Sequence, residues 1–384
     1  MAIQRASVVR TTAVVCAVLL LATACATAPA GGTSDNPADE SDVRVDVSWR
    51  LDLASDRGWE IDPREMGTPV LTPAGDLLVG ASNGWVYRIT PHSGDIRWAS
   101  PVDGAVDAQV RLKGQSVYAG TDEGELVALD WRDGEEQWRY QTRGSVETRP
   151  AIADGRAFVT DSEDRLYAVD ATTGDSLWDF QSEAPDFFTI KGGGQSLVID
   201  DVVYTGFADG NLVALYADTG DEVWTTHLGD ETGEFGDIDL PLYEYDDNLI
   251  AISHAGGIYS VERQTGALLW HLDESDVTGA QKAGDFLFAS TAHGDVFAVN
   301  LREGEIEWDF QLPDDQAGMG VAIAAPFLAV ATSRGPLYWL ELETGQPVGG
   351  WVPSSGFQSA PVFDDRHGYV MSNRGYLYAF GLAF

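Results

Sequence analysis

Eight times along the chain, five consecutive residues are almost entirely apolar and rich in β-formers. The runs read Trp85-Val-Tyr-Arg-Ile, Glu125-Leu-Val-Ala-Leu, Arg165-Leu-Tyr-Ala-Val, Asn211-Leu-Val-Ala-Leu, Gly257-Ile-Tyr-Ser-Val, Asp295-Val-Phe-Ala-Val, Pro336-Leu-Tyr-Trp-Leu and Tyr376-Leu-Tyr-Ala-Phe. A short run without polar alternation predicts a strand buried on both faces. Most are preceded by a glycine turn: Asn83-Gly84, Glu123-Gly124, Asp209-Gly210, His293-Gly294 and Arg374-Gly375. Tight hairpins need positive φ, which glycine adopts without steric cost. Upstream of each turn lies a second β-rich run, such as Val202-Val-Tyr-Thr, and downstream a strand containing tryptophan. No apolar run with helical spacing follows residue 45. Each unit therefore predicts four antiparallel strands.

The units are copies. Glycine precedes tryptophan by four residues at Gly94/Trp98, Gly134/Trp138, Gly174/Trp178, Gly220/Trp224, Gly266/Trp270 and Gly304/Trp308, and a seventh glycine follows at Gly345. A period near 40 residues with four strands per unit predicts a β-propeller. The fold class expected is all-β, an eight-bladed propeller of four-stranded antiparallel blades. The periodic tryptophans belong on outer strands, bridging neighbouring blades. The eighth unit lacks a fourth strand after Tyr376-Leu-Tyr-Ala-Phe. Val45-Asp-Val-Ser-Trp49-Arg-Leu resembles a tryptophan strand with no partners before it, so it is expected to complete the last blade and close the ring. Closure removes open sheet edges.

The first 44 residues follow a different pattern. Arg5 and Arg10 precede an apolar run from Ala13 to Leu21, ending in Leu21-Ala-Thr-Ala-Cys25. The run is short for a membrane span and suits a signal segment. Small residues before a cysteine resemble the bacterial lipoprotein processing box, with Cys25 lipidated; an ordinary signal peptide with a chance cysteine is the alternative. Ala26 after the cysteine looks like export onward to the outer membrane. The expected organisation is 1–24 signal peptide, 25–44 lipidated cysteine and linker, and 45–384 propeller. A linker of this composition is flexible, with a reach of about 25 Å.

Charge and chemistry narrow the function. The chain holds 61 acidic residues against 23 Lys and Arg, a net charge of −38. That excludes nucleic acid as a partner, because phosphate contacts need a basic surface. It fits either a solvated acidic surface or attraction of a basic partner. No cysteine follows Cys25. The six histidines lie one per segment without metal-ligand spacing, and no calcium loop, nucleophile elbow or phosphate loop occurs. The reading is non-catalytic, without cofactor or metal. The repeat Leu166-Tyr-Ala-Val-Asp-Ala-Thr-Thr-Gly174-Asp-Ser-Leu-Trp178 resembles that of pyrroloquinoline-quinone (PQQ) enzymes. Those enzymes typically carry an adjacent-cysteine disulfide, which this chain cannot form. A PQQ-dependent dehydrogenase and a generic envelope binding or sensor propeller are the rival functions.

Departures from the repeat mark the candidate site. Extra residues lie between Trp178 and Trp224 and again between Trp224 and Trp270: Ala184-Pro-Asp-Phe187-Phe188-Thr-Ile190-Lys191-Gly-Gly-Gly194 and the stretch from Gly229 to Pro241. Both connect a fourth strand to the next first strand. They should therefore emerge as neighbours on one face and form an interaction patch. Alternatively, Phe187 and Phe188 fold inward, and Asp237 and Asp239 serve as turn residues.

Phe188-Thr-Ile190-Lys191-Gly, Asp237-Ile-Asp239-Leu-Pro241, Pro336-Leu-Tyr-Trp-Leu and Ser354-Ser-Gly-Phe-Gln358-Ser-Ala-Pro361-Val resemble the BamB family of outer-membrane assembly lipoproteins. The likeness runs from about Trp49 to Phe384. It implies a lipid-anchored scaffold on the periplasmic face of the outer membrane. Its two loops would bind the POTRA domains of the barrel-inserting subunit through Phe188, Ile190, Lys191, Asp237 and Asp239. Unfolded outer-membrane protein clients are a further possible partner. Lysine stands where that family shows arginine, which removes bidentate geometry.

Overall fold

The computed structural model describes residues 43–53, 65–182, 194–229, 236–313, 316–353 and 355–383. Within them, thirty-two strands form eight four-stranded antiparallel sheets. Blade 1 spans 70–101, blade 2 111–141, blade 3 151–181, blade 4 197–227, blade 5 243–272, blade 6 277–311 and blade 7 318–351. Blade 8 combines Val362–Asp364, His367–Met371 and Tyr376–Ala383 with Arg44–Asp52 as its fourth strand. That strand pairs antiparallel with Tyr376–Ala383, placing Trp49 opposite Ala379. The expected eight-bladed ring and its N-terminal closing strand are both present.

The second and third strands of each blade are the apolar runs, buried on both faces as their composition predicts. Leu126, Val127 and Ala128 are fully buried, as are Leu166 and Ala168. The core divides into eight clusters, most of them joining one blade to the next. First strands of neighbouring blades touch, so they surround the axis, while the tryptophan strands lie outermost.

Adjacent blades are joined by a repeated clasp. The Trp138 indole on blade 2 donates to the Ala171 carbonyl of blade 3 at 3.2 Å, and its ring lies against Gly174. Trp49, Trp98, Trp178, Trp224, Trp270 and Trp308 likewise donate to Pro91, Trp131, Ala217, Arg263, Leu301 and Leu342 of the following blade. Glycine is required beneath the ring on two counts. Gly174 has φ +76°, and a Cβ there would meet Trp138 at 2.7 Å. The four-residue spacing of glycine and tryptophan thus joins two junctions: each blade's glycine receives the previous tryptophan, and its own tryptophan reaches the next glycine. A bulge one residue before each clasping tryptophan adjusts the outer strand.

Candidate functional site

Connections from a fourth strand to the next blade emerge on the same face as the turns between second and third strands. Phe188, Ile190, Lys191 and Cys25 lie outside the described residues. What is described of the two longer connections abuts. Gly194 donates its N–H to the Gly206 carbonyl at 2.9 Å, and a Cβ on Gly194 would meet the Ile238 carbonyl at 2.5 Å. Ile238 is fully buried against Gly206 and donates to the Phe207 carbonyl at 3.2 Å. The Gly236 carbonyl accepts the Ser253 hydroxyl at 3.1 Å, and the Asp237 carbonyl accepts the His254 N–H at 2.9 Å. The second connection is therefore tied to the turns of blades 4 and 5. Asp237 is buried and Asp239 half-buried.

A set of carboxylates surrounds this junction. Asp164 occupies the blade 3 turn position that is glycine in blades 1, 2, 4, 6 and 8. It adopts φ +56°, where Gly124 and Gly210 have +82° and +81°. A non-glycine residue in this region is strained, although aspartate tolerates it better than most. Its Oδ1 accepts the Ala208 N–H of blade 4 at 3.0 Å. Burial pushes its carboxyl up to about 6; the Ala208 hydrogen bond opposes this, and the charges of Asp209, Asp237 and Asp161 reinforce it. Asp161 accepts the Gly144 N–H at 3.0 Å and the Tyr167 hydroxyl at 2.9 Å. Asp209 accepts the Asn211 N–H at 2.9 Å and the Ser182 hydroxyl. Asp161, Asp164 and Asp209 thus fasten turns to one another. Among the described residues, no group of three His, Cys, Asp or Glu is arranged to hold a metal.

Farther along the same face, the fold gathers residues that lie far apart in sequence. His254 Nε2 lies 3.5 Å from Asp276 Oδ1, and His293 Nε2 lies 3.3 Å from Asp276 Oδ2. Asp276 donates its N–H to the His254 carbonyl at 2.6 Å, and its carbonyl accepts the Ala292 N–H at 2.8 Å. Read singly, these histidines are scattered turn residues. The available sequence signal is that they occupy successive blades' turns on either side of one connection. Asp164 had a clearer signal, being the absent glycine of blade 3.

Comparison with known proteins decides the family. The family model described as outer membrane protein assembly factor BamB matches residues 82–310. The chain belongs to the BamB family. BamB of Shewanella oneidensis is 28% identical over 195 residues, covering 49% of this chain and 49% of that protein. BamB of Legionella pneumophila is 25% identical over 193 residues, covering 49% and 50%. The chain thus spans about half the length of the curated BamB relatives it matches. The structure of BamB from Moraxella catarrhalis superposes with a TM-score of 0.74 at 22% identity, covering 88% of this chain and 100% of that one. A europium-containing methanol dehydrogenase superposes almost as well, with a TM-score of 0.73 at 14% identity over 91% of this chain and 95% of its own. At such identities the superpositions establish the propeller fold and nothing about chemistry.

Proposed function

We propose that this BamB-family chain is a non-catalytic scaffold in outer-membrane β-barrel protein assembly. Its longer connections before blades 4 and 5 would hold the POTRA domains of the barrel-inserting subunit. Cys25 would carry the lipid anchor, placing the propeller at the periplasmic face of the outer membrane. The observation that supports this reading is the abutment of Gly194 against Ile238, where the described ends of the two longer connections meet. Asp239 would supply a carboxylate there, and Phe188, Ile190 and Lys191 the apolar and basic contacts. Non-catalysis draws support from the cysteine inventory: Cys16 and Cys25 are the only two, both in the N-terminal segment, so no disulfide can support a quinone cofactor in the ring.

The test is affinity capture of the tagged, lipidated protein from gently solubilised envelopes. Recovery of a POTRA-containing barrel protein is expected. Phe188→Glu with Asp239→Ala should lower that recovery at least tenfold while circular dichroism and melting stay unchanged. Undiminished capture by the folded double variant would remove the loops from the assignment. Failure of the wild type to capture any such protein would remove the assembly role.

Unfolded client strands are a second possible partner. Leu177, Val223, Leu268 and Leu269 are exposed on the outermost strands of blades 3, 4 and 5. An exposed apolar strand edge can receive an extended peptide by β-augmentation. Crosslinking from position 269 to an unfolded barrel protein would test it, and a folded barrel crosslinking equally well would exclude strand addition.

A further inference from the structure

Two arginines converge where the first strands of blades 2 and 3 meet beside the axis. Arg111 begins the blade 2 strand Arg111–Lys113. Arg149 lies two residues before the blade 3 strand Ala151–Ala153. The register sets their directions. Gln109 is the blade 2 counterpart of Arg149 and reaches back to the Pro69 carbonyl of blade 1 at 3.5 Å. Gln281 is the blade 6 counterpart of Arg111 and reaches forward, accepting the Ile323 N–H of blade 7 at 2.7 Å. Arg111 and Arg149 therefore face each other across one junction. No other blade repeats this. Cross-strand pairing puts Val70, Ala151, Leu197, Tyr243, Gln281, Ala322 and Val362 at the Arg111 register, none of them charged.

Both side chains are partly buried, and the Nε of each is sealed from solvent without a hydrogen-bond acceptor. Among the described residues neither forms an ion pair. Arg88, Arg97, Arg139, Arg165, Arg263 and Arg302 all do, in a chain where acidic groups outnumber basic ones 61 to 23. Burial first, and the Arg111 charge second, push the Arg149 guanidinium down to about 10. Holding two like charges together in a half-dry site costs free energy unless a counter-charge relieves it. A guanidinium presents a planar fork that matches a carboxylate or phosphate in bidentate fashion.

We infer that the axial junction of blades 2 and 3 is a binding site for a small oxyanion, a polycarboxylate or a phosphate, clamped between Arg111 and Arg149. The site is distinct from the connections before blades 4 and 5, so it stands or falls independently of the assembly role. Calorimetric titration of the full chain with citrate, and separately with inorganic phosphate, at ionic strength matched by sodium chloride, tests it. One-site binding is expected, with a melting temperature above that of the matched-salt control. The tighter of the two anions identifies the class. Arg111→Gln and Arg149→Gln should each weaken binding at least tenfold. Arg149→Lys, which keeps the charge without the fork, should fall between. Relief of repulsion should leave the ligand-free glutamine variants as stable as the parent. The inference is overturned if neither anion binds beyond the chloride control, or if the folded double glutamine variant binds as tightly as wild type. Should a variant fail to fold, the wild-type titration against matched chloride still decides.

Discussion

Seven blade junctions are clasped by tryptophan, and the junction between blades 7 and 8 is not. In blade 6, Trp308 on the fourth strand pairs across to Ala298 on the third. In blade 7 the large and small residues have exchanged strands: Gly349 stands at the fourth-strand position, and its cross-strand partner is Trp339. The acceptor explains the exchange. A clasping indole needs the turn between the third and fourth strands of the next blade. In blade 8 those strands are Tyr376–Ala383 and Arg44–Asp52, from opposite ends of the described chain, so no turn connects them. With no carbonyl to reach and no turn glycine to cover, an outer tryptophan would have nothing to clasp. The aromatic mass sits inside instead. Trp339 is fully buried against Phe363 and Phe380, with ring centroids 6.1 and 6.2 Å away. Trp351 adds contacts to Phe380 at 5.1 Å and Tyr378 at 5.4 Å. One kind of junction has a directional indole hydrogen bond over glycine; in the other, buried aromatic packing takes the place of that clasp.

The greatest effect should come from removing the closing strand. Deleting residues 45–53 takes away the fourth strand of blade 8 and the Trp49 clasp, exposing the edge of Tyr376–Ala383. Loss of the cooperative thermal transition is expected, because among the described residues no other segment covers that edge; an unchanged melting temperature would contradict it. Next, Gly174→Ala drives a Cβ into Trp138 and also strains the backbone, at a cost of about 3 kcal/mol. Gly155→Ala is its control. That glycine has the same φ, +76°, but open space around it, so only backbone strain of about 1 kcal/mol is expected. Equal losses in denaturant melts would mean that the clasp does not depend on close approach.

A smaller and pH-dependent effect is expected at Asp164, where blade 3 has replaced its turn glycine. The folded carboxyl titrates near 6, above the free value of 3.8. The unfolded chain therefore releases its proton first as pH rises, and stability falls between about pH 4 and 6. Asp164→Asn keeps an acceptor for Ala208 and tolerates the left-handed backbone. It should gain stability at pH 8, a gain that disappears below about pH 4. A gain independent of pH would reassign the effect to backbone strain. Smallest is the contrast between two conservative changes. Trp138→Phe loses a buried hydrogen bond, about 1 kcal/mol. The Trp339 indole nitrogen is buried without a hydrogen-bond partner among the described residues, so Trp339→Phe should cost less than Trp138→Phe in the same melts.

The blades were legible because their signals are local and repeated. Doubly apolar strands, turn glycines and the Gly/Trp spacing recur in copy after copy, and each copy constrains the others. The orphan tryptophan strand at Val45–Leu51 was legible for the same reason, as the one fragment that fits the gap in blade 8. The longer connections could also be picked out as departures from the period, and the described Gly194 and Ile238 do meet. The burial of Asp237 was not legible, because an Asp-x-Asp pair reads alike in a turn, on a surface or in a junction. Nor were the Asp164 cluster, the two histidines around Asp276, or the pairing of Arg111 with Arg149. Each depends on residues from different blades brought together when the sheets pack.

The sequence by itself determined the unit, its number of copies and the strand that closes them, because strand pattern and turn chemistry act over a few residues at a time. Only the tertiary structure decided which charges share a junction, why blade 7 hides its tryptophan, and where two arginines meet without a carboxylate. Those are properties of distance and dielectric between blades, and distances between blades exist only once the ring has formed.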